Sequence, residues 1–200
     1  MTPVKIATIV EGHGECEAVP ILVRRIALEI DPGFVPEVLP PLRTPASRLI
    51  QEGELERAVE FVARKLGGPG GIIVIIDCDW QSCCPAQQGP KLLQRAKSAR
   101  RDLPISIILA KSEYESWFIA AAESLRGMHR LPQNLESPLD AESIRGAKEW
   151  LSSKMDQMNY SEATDQAAFT AKFDMVAARK TNSFDKCYRD IRSILEQLRS

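Results

Sequence analysis

Residues 71–79 read Gly-Ile-Ile-Val-Ile-Ile-Asp-Cys-Asp, and their composition decides the fold class. Five consecutive β-branched residues, Ile72 to Ile76, leave no polar face, so this stretch is predicted as a central strand covered on both sides. A second apolar run, residues 4–10, is a candidate buried strand that stops at Glu11-Gly12-His13-Gly14. A third, residues 105–109, precedes Lys111-Ser112-Glu113-Tyr114-Glu115, and residues 34–39 are a further candidate. Helical spacing lies between them, over 15–30 (its regular part starting at Pro20), 52–66, 91–101 and 117–125. Strands alternating with helices predict an α/β fold, with a mostly parallel, Rossmann-like sheet flanked by helices. After residue 127 the strand signal ends. Residues 141–155, 164–178 and 183–198 are predicted as three helices, the last with Ser183 as N-cap. The division is an α/β core over 1–127 and a helical C-terminal lobe over 128–200, packed as one unit.

The 26 Lys and Arg against 27 Asp and Glu argue against a chain that coats duplex nucleic acid by charge alone. Five cysteines at irregular spacing give neither a secreted disulfide framework nor a CxxC zinc pair, and all five are expected as unpaired thiols. No apolar stretch reaches the roughly 20 residues of a membrane span, and no secretory leader is visible. A soluble, cytoplasmic setting is the expectation.

In parallel sheets ligands gather at the carboxyl ends of the strands. Glu11, Asp77, Asp79, Glu113 and Glu115 all follow strand candidates, so residues far apart in sequence are expected on one edge. Hard divalent cations such as Mg²⁺ prefer oxygen ligands and are commonly held by carboxylates plus substrate phosphates. Asp77 and Asp79 stand two apart and share a face of a straight strand. Glu11 is a candidate ligand or general acid/base. Read singly, an Asp-x-Asp or a Glu-Gly-x-Gly turn serves equally well to end a strand.

The strings IVEGHGECEAVPILVRRI and IIVIIDCDW resemble the Toprim pattern of topoisomerases, primases and overcoming-lysogenization-defect nucleases, which joins a Glu after the first strand to a DxD after a later one. With EYESWFIAA and NSFDKCYRDI included, the chain more closely resembles the Toprim-like bacterial family called "domain of unknown function 4276", over most of its length. The resemblance implies a Mg²⁺- or Mn²⁺-dependent phosphoryl-transfer site of nuclease type. It gives Glu11 the general acid/base or ligand role, Asp77 and Asp79 the metal, and Glu15 the second acid of the Glu-Gly-x-x-Glu pattern. Glu113 and Glu115 match the acidic pair of the Glu-x-Glu-x-Trp segment. Neither the topoisomerase tyrosine domain nor the primase zinc-binding domain accompanies this pattern. Some relatives act with ATPase partners in phage defence, which makes an ATPase a candidate partner beside nucleic acid.

Several residues admit two readings. His13 is a phosphate contact or a plain turn residue. Lys91, Arg95, Lys97, Arg100 and Arg101 form either a solvated helix face or a phosphate-backbone track toward the acids. Lys111 is a candidate for neutralising a transition-state phosphate, or a partner of Glu113 or Glu115. Trp80 and Trp117 stack on bases or pack internally. Two further functional readings stand beside the nuclease: a non-catalytic defence subunit binding nucleic acid or protein, and, ranked lower, a phosphatase with Asp77 as nucleophile.

Overall fold

A computed structural model describes residues 3–81 and 83–199. Its centre is a parallel sheet of β1 (Lys5–Val10), β2 (Glu37–Val38), β3 (Leu42–Arg43), β4 (Gly71–Cys78) and β5 (Ile105–Lys111). The order is β2-β1-β4-β5, with β3 also pairing β1. Every residue of β4 is buried, as five consecutive β-branched residues require of a strand covered twice. Its alternate side chains serve two cores. Ile73 and Ile75 join Ile6, Val10 and Ile108 under α1 (Glu15–Ile30), while Ile72, Val74 and Ile76 join Ala7, Ile9 and Ile107 on the other side. That second core is covered by α3 (Glu54–Leu66) and α4 (Pro85–Ala99). A short α2 (Ala46–Leu49) follows β3.

The chain leaves β1 toward β2 and leaves β4 toward β5, with α1 and α4 on opposite faces. Strand order therefore reverses between β1 and β4, and the crevice at their carboxyl ends is the topological switch point where open α/β sheets bind ligands.

The C-terminal segment is helical, but it does not form a separate core. Leu131, Leu135, Leu151, Phe169, Phe173 and Phe184 belong to the same cluster as Ile73, Ile75 and Ile108. The segment comprises α6 (Ala147–Lys154), α7 (Ala167–Thr170), α8 (Met175–Ala178) and α9 (Asn182–Arg199), preceded by α5 (Ser116–Ala120). Helix α9 packs on β5 and α1 as one layer of the fold. It also protects the edge strand: Lys186 Nζ donates to the Ile107 carbonyl at 3.0 Å, and Asp190 pairs with Ser106.

Several sequence expectations are corrected. The 15–30 helix begins at Glu15, ahead of Pro20, which sits buried inside it. The basic helix starts at Pro85 instead of residue 91, because a proline suits a first helical turn. The 117–125 helix breaks after Ala120 into a 3₁₀ turn, Ala122–Leu125. Residues 164–178 are not one helix: a π-turn, Glu162–Gln166, runs into α7, and Asp174 caps a separate α8 through the Val176 and Ala177 amides. Ser183 does not cap α9. Its hydroxyl accepts the Trp117 indole N–H at 2.8 Å, so Trp117 is wholly buried and packed internally. The expectation of five unpaired thiols fails as well. Cys78 and Cys83 form a disulfide across the loop after β4, with Cα atoms 5.5 Å apart, leaving Cys16, Cys84 and Cys187 as thiols. Cys78 faces the α3/α4 side, and Cys83 packs against that same core. No helix among the described residues is long and apolar enough to cross a membrane.

Candidate functional site

Asp77 continues the Ile73–Ile75 row of β4, so its carboxylate points to the α1 side. There Oδ1 accepts the Tyr114 amide at 2.8 Å. Glu11 follows the last residue of β1 and bridges two elements, accepting the Ala46 amide at 3.1 Å and the Asp77 amide at 3.3 Å. Glu15, at the start of α1, reaches back to the amides of Glu11 at 2.8 Å and Gly12 at 3.0 Å. This is the carboxylate-to-amide bond that stabilises a helix start, turned here onto the strand-end turn. Glu115, just before α5, accepts the Tyr160 hydroxyl at 2.9 Å through Oε1, while its Oε2 has no hydrogen-bond partner among the described residues.

Three of these carboxyls are taken almost wholly out of water: Glu15 is 2% exposed, Asp77 8% and Glu115 0%. Burial, the largest influence, pushes Glu15 and Glu115 up to about 7. Asp77 is raised well above the usual carboxylate range, first by burial and then by the neighbouring charges of Glu15 and Glu115. Half-buried Glu11 is raised by desolvation, against the pull of the Ala46 and Asp77 amides.

The cation facing them is Lys148 in the first turn of α6, a residue that sequence reasoning missed. Its ammonium pairs with Glu162 at 2.6 Å. Burial opposes its charge, yet Glu115, Glu162 and Asp77 outweigh burial and raise its pKa. Glu162 opens the π-turn that lies over the 11–14 turn. A Cβ on Gly14 would stand 2.1 Å from Gln166 Oε1 and 2.4 Å from the Glu162 carbonyl oxygen, so this close approach requires glycine. Neither Lys148, in an ordinary-looking Gly-Ala-Lys-Glu-Trp stretch, nor Tyr160 and Glu162 carries a motif that could have flagged it.

The remaining candidates take other positions. Glu113 accepts the Ala147 and Lys148 amides at 3.1 and 3.4 Å, so it anchors the start of α6 instead of facing the acids. Asp79 and His13 are exposed at the rim, and Trp80 is half-buried against the α3/α4 core. Lys111 is exposed and lines a cavity of about 420 Å³ with Glu142, Lys180 and Asn182, which contains none of the acids. Arg95 is committed to structure, holding both oxygens of Glu56 at 2.8 and 2.9 Å and the carbonyls of Ile50 and Gln51. Arg100 is held by Asp102 and Glu60. Lys91, Lys97 and Arg101 are exposed, but α4 runs from the carboxyl edge toward the start of β5. Its length of about 22 Å carries Lys97, Arg100 and Arg101 to the end of the sheet remote from the acids.

The donor chemistry of this edge fits a hard divalent cation. Every candidate ligand is a carboxylate oxygen, and the unpaired, inaccessible Glu115 Oε2 is the kind of atom such an ion satisfies. As the side chains stand, however, no three His, Cys, Asp or Glu among the described residues form a group that could hold one. Glu11, Glu15 and Asp77 point oxygens at backbone amides, and Lys148 supplies the neutralising charge. No protein-family model, curated protein or solved structure matches the chain.

Proposed function

We propose that this chain is a Toprim-like nuclease that hydrolyses phosphodiester bonds of DNA or RNA with Mg²⁺ or Mn²⁺ at the carboxyl edge between β1 and β4. The observation that carries the reading is the burial of Asp77, Glu15 and Glu115 together at the switch point, with Glu115 Oε2 left without a partner. Gathering ionised carboxyls in so dry a place is costly unless a cation compensates. Asp77, Glu115 and Glu15 would hold the ion, with Glu11 and Asp79 at the rim. When bound, it would neutralise these carboxylates and polarise a phosphoryl oxygen.

The chain's own groups supply the rest. The Tyr114 amide orients Asp77, and Tyr160 orients Glu115. Glu11 is half-buried with a raised pKa, which suits a group that holds a proton at its carboxyl and passes it to or from a reacting oxygen. Glu113, by anchoring α6, sets where Lys148 stands. Nucleic acid as substrate, an ATPase as controller and a role in phage defence belong to the same proposal and rest on the sequence resemblance; a cytoplasmic setting is proposed with them from the cysteine spacing, which gives no secreted disulfide framework. Nuclease assays with Mg²⁺ and Mn²⁺ on single-stranded and duplex DNA and RNA test it. Cleavage is expected, and Glu11→Gln and Asp77→Asn should abolish it; cleavage that survives both changes, or none by the wild type with either ion, contradicts the reading.

A second reading has its own support. Glu11, Glu15 and Glu113 all spend oxygens on backbone amides, as carboxylates do when they brace a fold. A non-catalytic defence subunit built this way would keep partner binding and biological effect in the same two variants.

A further inference from the structure

Lys148 is placed among the acids by geometry that does not depend on its own charge. The two Glu113 bonds fix the first turn of α6, the ammonium pairs with Glu162 at 2.6 Å, and its charge reaches Glu115, Asp77, Glu15 and Glu11 through space. Glu162 also stands over the strand-end turn, its Oε2 3.5 Å from where a Cβ on Gly12 would be. The ion pair thus joins α6 to the π-helical turn, whose Glu162 and Gln166 pack over residues 12–14. The side-chain oxygen of Gln166, in the same turn, is buried with no hydrogen-bond partner among the described residues. Single π-helical turns are rare, and those that occur are often found at functional sites.

Resting on the metal reading above, we infer that Lys148 is the site's internal counter-ion and competes with the divalent cation for the Asp77 and Glu115 carboxylates. With the ion bound, those two carboxylates would no longer act on the ammonium, which would be left to Glu162 alone. Lys148 is a positioning residue: it sets the affinity of the edge for the ion. A hard cation with two charges outcompetes one ammonium where several carboxylates converge in a low-dielectric place.

The test is Mn²⁺ titration calorimetry near pH 8 on the wild type, Lys148→Met and Lys148→Arg, with circular dichroism to verify folding. Lys148→Met should bind Mn²⁺ about tenfold more tightly, since one competing charge is gone, and Lys148→Arg should stay near the wild type. A folded Lys148→Met with unchanged or weaker affinity overturns the counter-ion role. A wild type that binds neither Mn²⁺ nor Mg²⁺ overturns the metal reading itself, so the two failures are distinguishable. A second measurement needs no variant: the rate of Lys148 acetylation by acetic anhydride, read by peptide mass spectrometry, should rise when Mn²⁺ is added to the wild type. An unchanged or slower rate overturns the inference.

Discussion

Glu115→Gln should stabilise the protein near pH 8 and leave it almost unchanged near pH 5. The wild-type carboxyl is inaccessible, and burial, only partly opposed by Lys148 and the Tyr160 hydroxyl, moves it from 4.5 to about 7. Between those values the unfolded chain has already lost this proton while the folded chain still holds it. The folded state then binds more protons than the unfolded one, so stability falls as pH rises through the window. A displacement of about 2.5 pH units, at about 1.4 kcal/mol each, is a loss of about 3 kcal/mol. Glutamine has no such proton to lose and keeps an oxygen for Tyr160. The variant's advantage over the wild type should therefore grow by about 2.5 kcal/mol from pH 5 to pH 8, or about 5–10 °C in Tm for a chain of this size. Urea unfolding of both proteins at four pH values measures it. A difference that is the same at both ends, or a variant less stable near pH 8, refutes the claim that Glu115 is buried at an electrostatic cost.

Three other outcomes follow from different parts of the fold. Gly14→Ala should destabilise by about 1–3 kcal/mol, because the added methyl meets a backbone oxygen of the π-turn and cannot be relieved by side-chain rotation alone; thermal unfolding with no loss of Tm would show that the cover does not sit on this turn. Arg95→Ala should cost about 1–2 kcal/mol in urea unfolding, since it ties α4 to Glu56 and two carbonyls, while leaving affinity for a single-stranded oligonucleotide unchanged; a fall in affinity without loss of stability would restore the phosphate-track reading. Alkylation of the denatured, unreduced protein should label Cys16, Cys84 and Cys187 and spare Cys78 and Cys83; a mass corresponding to all five labelled thiols would contradict the disulfide.

The sheet was legible because its signal is local. An apolar run such as 72–76 has one physical solution, and the strand-end acids are tied to their strands by sequence adjacency. From that alone Glu11, Asp77 and Glu115 come to one edge. Alternation along β4 also puts Asp77 on the side of Ile73 and Ile75, where the C-terminal segment packs. What sequence could not reveal is long-range: Lys148 and Glu162 reach the acids only because the segment after residue 127 folds back over the edge. Glu113 reads as a ligand in its Glu-x-Glu-x-Trp context, yet its oxygens go to amides more than thirty residues away. Where the basic run after Asp79 goes is a matter of geometry. A helix leaving a strand's carboxyl end carries its later residues toward the opposite end of the sheet. The C-terminal helices were misjudged where apolar spacing continued through capped turns, as at Asp174.

The most direct test of the central claim is a crystal structure with Mn²⁺, located by its anomalous scattering. The expected result is a single strong peak at the carboxyl edge between β1 and β4, shared by carboxylate oxygens of Asp77 and Glu115, with the Lys148 ammonium left to Glu162 alone. An edge that binds no ion at saturating Mn²⁺, with Lys148 still facing Asp77 and Glu115, would mean that these carboxylates brace the fold and that the nuclease reading is wrong.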